Sequence, residues 1–240
     1  MHWLVATVAE TIPETVEAVS LALEIPDWTG HRAGQHVDVR LTAEDGYSVE
    51  RSYSIASPPG SDEVELTVVR IDEGEVSPYL TTGLEFGDQI EIRVPIGGYF
   101  VREKPEMRPV LLLGGGSGVV PLMAMFRYHA QLDHSAQMRL IYSARTERDI
   151  LYKEELAALT GGHRDVLITL TREPASPWSG RRGRIDGDLL SQITKPFTDD
   201  LLCFICGPTP FVEATADSLI ELGLQPALVK TERFGPTGGG

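Results

Sequence analysis

The sequence predicts two domains, an antiparallel β-barrel followed by an α/β domain on a parallel sheet. Three observations predict them. The first hundred residues carry short alternating runs punctuated by Gly and Pro, the signature of an antiparallel barrel. Beyond Pro109, apolar strand-like runs alternate with helical ones, which makes βαβ units and a parallel sheet. A charged, proline-containing stretch at Glu103–Arg108 separates the two patterns, giving domains of residues 1–104 and 105–240.

In His36–Leu41, His36, Asp38 and Arg40 alternate with Val37, Val39 and Leu41, the period of a strand with one buried face. Ser48–Glu50 reads as strand leading into Arg51. Val64–Ile71 is rich in β-branched residues, and Ile90–Val94 alternates again after a Gly87-Asp88 turn signal. Val110–Leu113 is a short, wholly apolar strand, followed by a glycine turn and a helical run over Val119–Leu132. Then come a strand at Leu140–Ser143, a helix at Ile150–Leu159, a strand at Val166–Thr171 and a polar loop at Pro174–Arg184. A strand at Leu201–Cys206, a helix at Phe211–Leu222 and a strand at Ala227–Thr231 complete the pattern. Gly235–Gly240 reads as a mobile tail unless a ligand orders it.

With 240 residues, 42% of them hydrophobic, the chain can bury two modest cores. A net charge of −14 argues against nucleic acid and anionic membranes as partners. No apolar run approaches a membrane span. The start, MHWLVATVAE, lacks the basic end and apolar core of a signal peptide, so a cytoplasmic location is expected. Arg93, Arg102, Lys104 and Arg108 bracket the middle of the chain as a candidate local basic patch. Cys203 and Cys206 have CxxC spacing, but they lie in the apolar run LLCFICG. On a strand, residues three apart face opposite ways, so neither a disulfide nor a metal site is expected. Two thiols also fall short of the four that an ordinary iron–sulfur cluster takes, which places any such cluster on a separate molecule.

Three motifs carry chemistry: Arg51-Ser52-Tyr53-Ser54, Gly114–Gly118 and Cys206-Gly207-Pro208. An arginine suits a phosphate, an aromatic suits a flat ring, and a hydroxyl can hydrogen-bond a ring nitrogen. Out of context, the first motif is a strand with an Arg and a Tyr. The second is strand, tight turn, helix, where backbone amides can approach a pyrophosphate. Val119 stands where the last glycine of GxGxxG would be, and Pro121 follows. The acid that would hold an adenosine ribose is missing; the next strand ends in Tyr142-Ser143-Ala144-Arg145, and a hydroxyl with a guanidinium suits a phosphate better. The third motif ends the last buried strand before a helix, at the edge where open parallel sheets bind ligands.

Over nearly its whole length the chain resembles the ferredoxin–NADP reductase family, most closely bacterial oxygenase reductases without a ferredoxin domain. The resemblance implies FAD in the first domain and NADPH in the second, with NADH as the alternative donor and FMN as the alternative flavin. In that family the RxYS segment, here Arg51, Ser52, Tyr53 and Ser54, binds flavin. It puts Arg51 at the pyrophosphate, Tyr53 at the isoalloxazine face and Ser54 near flavin N5. Val69-Arg70-Ile71 and Gly74-Glu75-Val76-Ser77 match the second flavin segment, with Ser77 on phosphate and backbone groups on the ring and ribityl chain. Gly97–Phe100 resembles the segment that closes the barrel. GGGSGVVP resembles the family's GGGTGxxP loop, which makes Gly116, Ser117, Gly118 and Pro121 nucleotide contacts. Cys206, Gly207 and Pro208 would meet the nicotinamide.

Glu232-Arg233-Phe234 resembles the acid–x–aromatic ending, with Phe234 over the flavin and Glu232 near the reacting carbons, although here the chain runs on. Arg145, Arg172 and Arg184 stand in sequence settings similar to those in which bacterial members hold a 2′-phosphate with arginines, which, with the Ser143 hydroxyl beside Arg145, implies a preference for NADPH. Ser54, Cys206 and Glu232 are expected to line hydride transfer from nicotinamide C4 to flavin N5, none of them a strong acid–base candidate. The implied acceptor is a separate iron–sulfur protein, such as a ferredoxin, or a flavodoxin. The alternatives are a small diffusible acceptor (free flavin or quinone) and a redox-silent nucleotide-binding module, which would predict broken flavin motifs.

Overall fold

The structure is a computed structural model that describes residues 3–102, 107–132, 135–172, 178–197 and 200–234. The chain divides into two compact units, residues 1–102 with 123–128, and residues 103–122 with 129–240.

The first unit contains β1 (Trp3–Thr15), β2 (Ala18–Glu24), β3 (His36–Thr42), β4 (Ser48–Ser54), β5 (Val64–Val69), a short helix α1 (Ser77–Thr82) and β6 (Gln89–Arg93). The six strands form an antiparallel sheet in the order β4-β3-β6-β1-β2-β5. Its two ends meet just past β4: Ile55 bridges Leu66, and the Ala56 N–H donates to the Glu65 carbonyl at 2.7 Å. The sheet thus curls onto itself as a barrel, which leaves few unpaired edge groups. Val8, Leu21, Val37, Val39, Leu66 and Ile92 fill its interior. Residues 123–128 belong to this unit; Arg127 donates to the Ala56 carbonyl at 3.0 Å and to Glu65 at 2.7 Å.

The alternation expected in β3 holds, with Val37 and Val39 inward. Asp38 points the other way and is still only 6% exposed, because Ser52 and Arg93 bind its two carboxylate oxygens. Burial pushes the Asp38 carboxyl up, but the bonds from Ser52 and Arg93 outweigh it and hold it below the usual range. The hairpin β1–β2 escapes the sequence reading for a local reason. Its register shifts twice, between Val8 and Glu10 and between Pro13 and Thr15, and each bulge breaks the period of two.

The second unit contains β7 (Val110–Gly115), α2 (Val119–Gln131, apart from residues 123–128), β8 (Met138–Ala144), α3 (Lys153–Leu159), β9 (Arg164–Leu170) and β10 (Arg181–Arg182). It continues through α4 (Gly187–Thr194), β11 (Leu202–Pro208), α5 (Thr209–Glu221) and β12 (Val229–Phe234). Its sheet is parallel, in the order β10-β9-β8-β7-β11-β12. Leu111, Leu113, Ile141, Cys203, Ile205, Val212 and Leu219 build one core on it.

Several expectations are corrected. The helix expected from Ile150 begins at Lys153, because Tyr152 is left-handed (φ 56°) and Ile150–Tyr152 are buried. The last strand begins at Val229, after a 3-10 turn opened by Pro226, and reaches Phe234. The polar loop at 174–184 contains the short strand β10; residues 173–177 lie outside the described residues. Among the described residues, the cations of the candidate basic patch are paired or buried. Arg93 is paired with Asp38, Arg102 is 2% exposed, and Arg108 lies 3.8 Å from Asp200. Lys104 and Gly235–Gly240 fall outside the described residues. Among the described residues no helix is long and apolar enough to cross a membrane.

Candidate nucleotide and flavin sites

In the second unit, strand register gathers the predicted nucleotide residues at one sheet edge. Cys206 pairs with Gly114 on one side and with Glu232 on the other; Gly115 pairs with Ser143, and Pro208 with Phe234. From Gly115 the chain enters a 3-10 turn over Gly116–Gly118 and then α2. Gly116 is exposed and left-handed (φ +56°), and a Cβ there would point into open space. That space lets an incoming phosphate meet the backbone closely. Ser117 beside it is half-buried. Pro121 is buried in the first turn of α2, where a missing N–H is harmless.

Gly118 is a glycine for a different reason. A Cβ on it would collide with the Cys206 carbonyl and come within 2.7 Å of the Gly207 nitrogen. Phe211, in the first turn of α5, lies across two other glycines: Cβ atoms on Gly115 and Gly207 would stand 2.8 and 2.7 Å from its ring. The sequence reading passed over Phe211. An aromatic four residues after Gly207, itself at a sheet edge, was the available signal.

Arg145 and Arg172 are brought side by side, since the Arg172 N–H donates to the Arg145 carbonyl at 2.8 Å. The Gly183 N–H donates to the Leu170 carbonyl at 2.9 Å, which sets Arg184 just past β10 on the neighbouring edge. All three arginines are exposed, and none makes an ion pair with a described residue. Glu147, a natural competitor for Arg145, is taken by Lys153 at 2.6 Å.

Cys203 and Cys206 are both free and buried. Cys203 belongs to the core, and burial pushes its thiol up to about 12. Burial, with the Glu232 charge second, pushes the Cys206 thiol well above its usual value. Neither is a thiolate at neutral pH. Glu232 carries the more consequential shift. One of its carboxylate oxygens is sealed from solvent, and burial pushes the carboxyl up to about 7. The shift has no signal in the sequence, because it comes from burial. Phe234 ends β12 and is 38% exposed.

In the first unit, the RSYS motif splits between two faces of β4. Arg51 and Tyr53 pair with Val39 and Val37, while Ser52 and Ser54 pair with Asp38 and His36. Tyr53 packs against the barrel core, and burial pushes its hydroxyl up to about 12. The Ser52 hydroxyl is committed to Asp38. Arg51 donates to the Glu50 carbonyl at 2.7 Å, and its guanidinium lies 3.7 Å from the Glu75 carboxylate.

The second flavin segment is a tight loop. The Gly74 N–H donates to the Ile71 carbonyl, and the buried Ser77 hydroxyl accepts from the Ile71 N–H at 3.0 Å. That hydroxyl keeps its own proton to donate. Val69 is half-buried; Arg70 is held by Asp72 at 3.1 Å, and Ile71 is exposed. The Val76 side chain is buried in the core, so only its backbone can meet a ligand. A half-exposed guanidinium, a donor hydroxyl and an aromatic on the barrel fit a flavin bearing phosphate; the open Gly116 turn with exposed arginines fits a dinucleotide.

Comparison with known proteins agrees with this geometry. An oxidoreductase FAD-binding domain model matches residues 4–100, and an oxidoreductase NAD-binding domain model matches residues 112–217. The glycine betaine monooxygenase reductase subunit of Chromohalobacter salexigens is 32% identical over 211 residues, covering 86% of this chain and 56% of that protein. The ferredoxin reductase component of the Mycobacterium tuberculosis 3-ketosteroid-9-alpha-monooxygenase is 30% identical over 245 residues, covering 97% of this chain. The chain spans 56% and 66% of the lengths of these two relatives. A Neisseria gonorrhoeae ferredoxin NADP+ reductase, solved with bound FAD and NADP, shares the fold with a TM-score of 0.81 at 21% identity, covering 97% of this chain and 99% of that one.

Proposed function

The chain belongs to the ferredoxin–NADP reductase family of FAD- and NAD-binding oxidoreductases, and on that premise we propose that it draws electrons from NADPH and delivers them to a separate electron carrier. The observation that carries this reading is the sheet edge of the second unit. There an open glycine turn, Cys206–Pro208, Glu232 and two adjacent exposed arginines come together on neighbouring strands. FAD, when bound, would supply the hydride-accepting and electron-releasing chemistry.

The residues supply binding, alignment and protons. Backbone amides of Gly116–Gly118 meet the dinucleotide pyrophosphate, and Pro208, at the same edge, flanks the nicotinamide. Arg145 and Arg172, with Ser143 and Arg184 beside them, hold the 2′-phosphate. Arg51 and Ser77 hold the flavin phosphate, Tyr53 offers its ring to the flavin, and Ser54 offers a hydroxyl. Glu232 holds a proton at its carboxyl near neutral pH, and Cys206 presents a neutral thiol.

The acceptor we favour is an iron–sulfur protein or flavodoxin. The support is that the relatives named above are reductase components of monooxygenases. A small diffusible acceptor is the second reading. It is favoured by the pairing of Arg93 and the burial of Arg102, which leave neither to steer an acidic carrier.

The test is kcat/KM for NADPH and NADH with ferricyanide as acceptor, in the wild type and in Arg145→Ala. One guanidinium–phosphate contact of about 1.5–3 kcal/mol gives NADPH roughly a tenfold preference or more, and Arg145→Ala should erase most of it. A wild type that favours NADH, or a ratio that the mutation leaves unmoved, removes the 2′-phosphate role. Protein that stays colourless after reconstitution with FAD or FMN removes the whole reading.

The two cysteines separate packing from site. Cys203→Ala should act on stability alone, by about 1 kcal/mol for a small cavity, with the rate of flavin reduction unchanged. Cys206→Ala should slow flavin reduction by NADPH in stopped flow. Equal effects on that rate would contradict the assignment of Cys206 to the site.

A further inference from the structure

We propose that Glu75 competes with the flavin phosphate for Arg51, so that this acid sets how tightly the chain holds phosphate-bearing flavins. The inference rests on the reading of Arg51 as the phosphate ligand. It begins with the present partners of that guanidinium. The Glu75 carboxylate lies 3.7 Å from Arg51 with one oxygen and accepts a hydrogen bond from the Tyr47 hydroxyl at 3.1 Å with the other. The carboxylate thus occupies the cation that an anionic ligand would need.

Its placement is built, not incidental. Glu75 sits in the turn closed by Gly74 N–H to the Ile71 carbonyl and by Ile71 N–H to Ser77 Oγ. The turn is tight enough that a Cβ on Gly74 would stand 3.0 Å from the Ile71 carbonyl oxygen. Tyr47 is positioned in turn by its own N–H, which donates to Asp45 at 3.0 Å. Backbone geometry on one side and a tyrosine on the other therefore hold the acid over Arg51.

The neighbouring charges do not change the balance. Arg70 is engaged by Asp72, and Glu50 lies 3.9 Å from Arg93. A phosphate arriving on Arg51 must displace Glu75 or sit beside it. The first loses an ion pair, and the second brings like charges together. Arg51 and Glu75 are 50% and 54% exposed, so the penalty is modest and salt weakens it.

The full chain, stripped of flavin, is titrated with FAD, FMN and riboflavin, following flavin fluorescence at low and high salt. Glu75→Gln should bind FAD and FMN roughly three- to tenfold tighter at low salt, with most of the gain lost near 1 M salt, where the screening length is about 3 Å. Riboflavin has no phosphate, and its affinity should not move. Arg51→Ala should weaken FAD and FMN but not riboflavin. If Arg51→Ala changes none of the three, the phosphate reading of Arg51 fails and the inference goes with it. If Arg51→Ala weakens FAD while Glu75→Gln leaves it unchanged or weaker, that reading stands and the competition is overturned. Equal tightening of riboflavin would show that Glu75 acts through the loop, which also overturns it.

Discussion

Gly118→Ala is expected to lower kcat/KM for NADPH by about 100-fold, a cost typical of a displacement of about 1 Å in a binding element. FAD content should be unchanged. The backbone at Gly118 is ordinary (φ −63°), so alanine meets no conformational strain there. The cost is steric. The new Cβ would run into the Cys206 carbonyl and stand 2.7 Å from the Gly207 nitrogen. Those atoms belong to β11, which is paired on both sides and cannot move alone. The turn that carries Gly116 and Ser117 must lift instead. Gly223→Ala, just past α5, is the control. It meets no atom within 4 Å, and its left-handed backbone costs about 1–2 kcal/mol. Steady-state kinetics with flavin quantified per chain decide the matter. Normal kcat/KM in Gly118→Ala would mean that the turn is not seated on Cys206 as the structure has it.

Glu232→Gln is expected to remove a pH dependence of stability on the order of 3 kcal/mol, less where solvent screens the carboxyl. Burial raises this group from 4.5 to about 7. Below the lower value the folded and unfolded chains both carry the proton, and the stabilisation is complete. Between the two values the unfolded chain gives up its proton first, so stability falls as pH rises. Above the higher value both are ionised and the fall stops. Glutamine does not titrate. Urea melts of both proteins at several pH values give the wild-type-minus-variant difference, in which the other titrating groups largely cancel. A difference that stays constant with pH would mean that Glu232 ionises as an ordinary exposed carboxyl does.

Much of the fold was readable because local rules agreed. β3 alternates cleanly and β7 is a short apolar run; the glycine turn is narrower than its sequence, since Gly114 and Gly115 continue β7 and Gly116–Gly118 make the turn. The hairpin β1–β2 was not readable, since its bulges break the alternation on which a strand is recognised. The start of α3 was misread because helical spacing does not reveal that Tyr152 is left-handed.

At the sites, the same division holds. Residue types and their order sufficed for the three motifs, for a buried LLCFICG strand and for exposed arginines at Arg145 and Arg172, because each depends on the local chain. Three matters waited for the tertiary structure. Glu232 faces Cys206 only because β12 pairs with β11 in one register, and burial there lifts its carboxyl to about 7. Arg102, a surface cation by composition, is 2% exposed. Arg51 and Ser52 are neighbours in sequence, yet one faces Glu75 and the other Asp38. Period, turn and charge are properties of a few consecutive residues, and the sequence alone determined them. Register and burial arise between segments far apart in the chain, and they decide which groups meet and how each titrates.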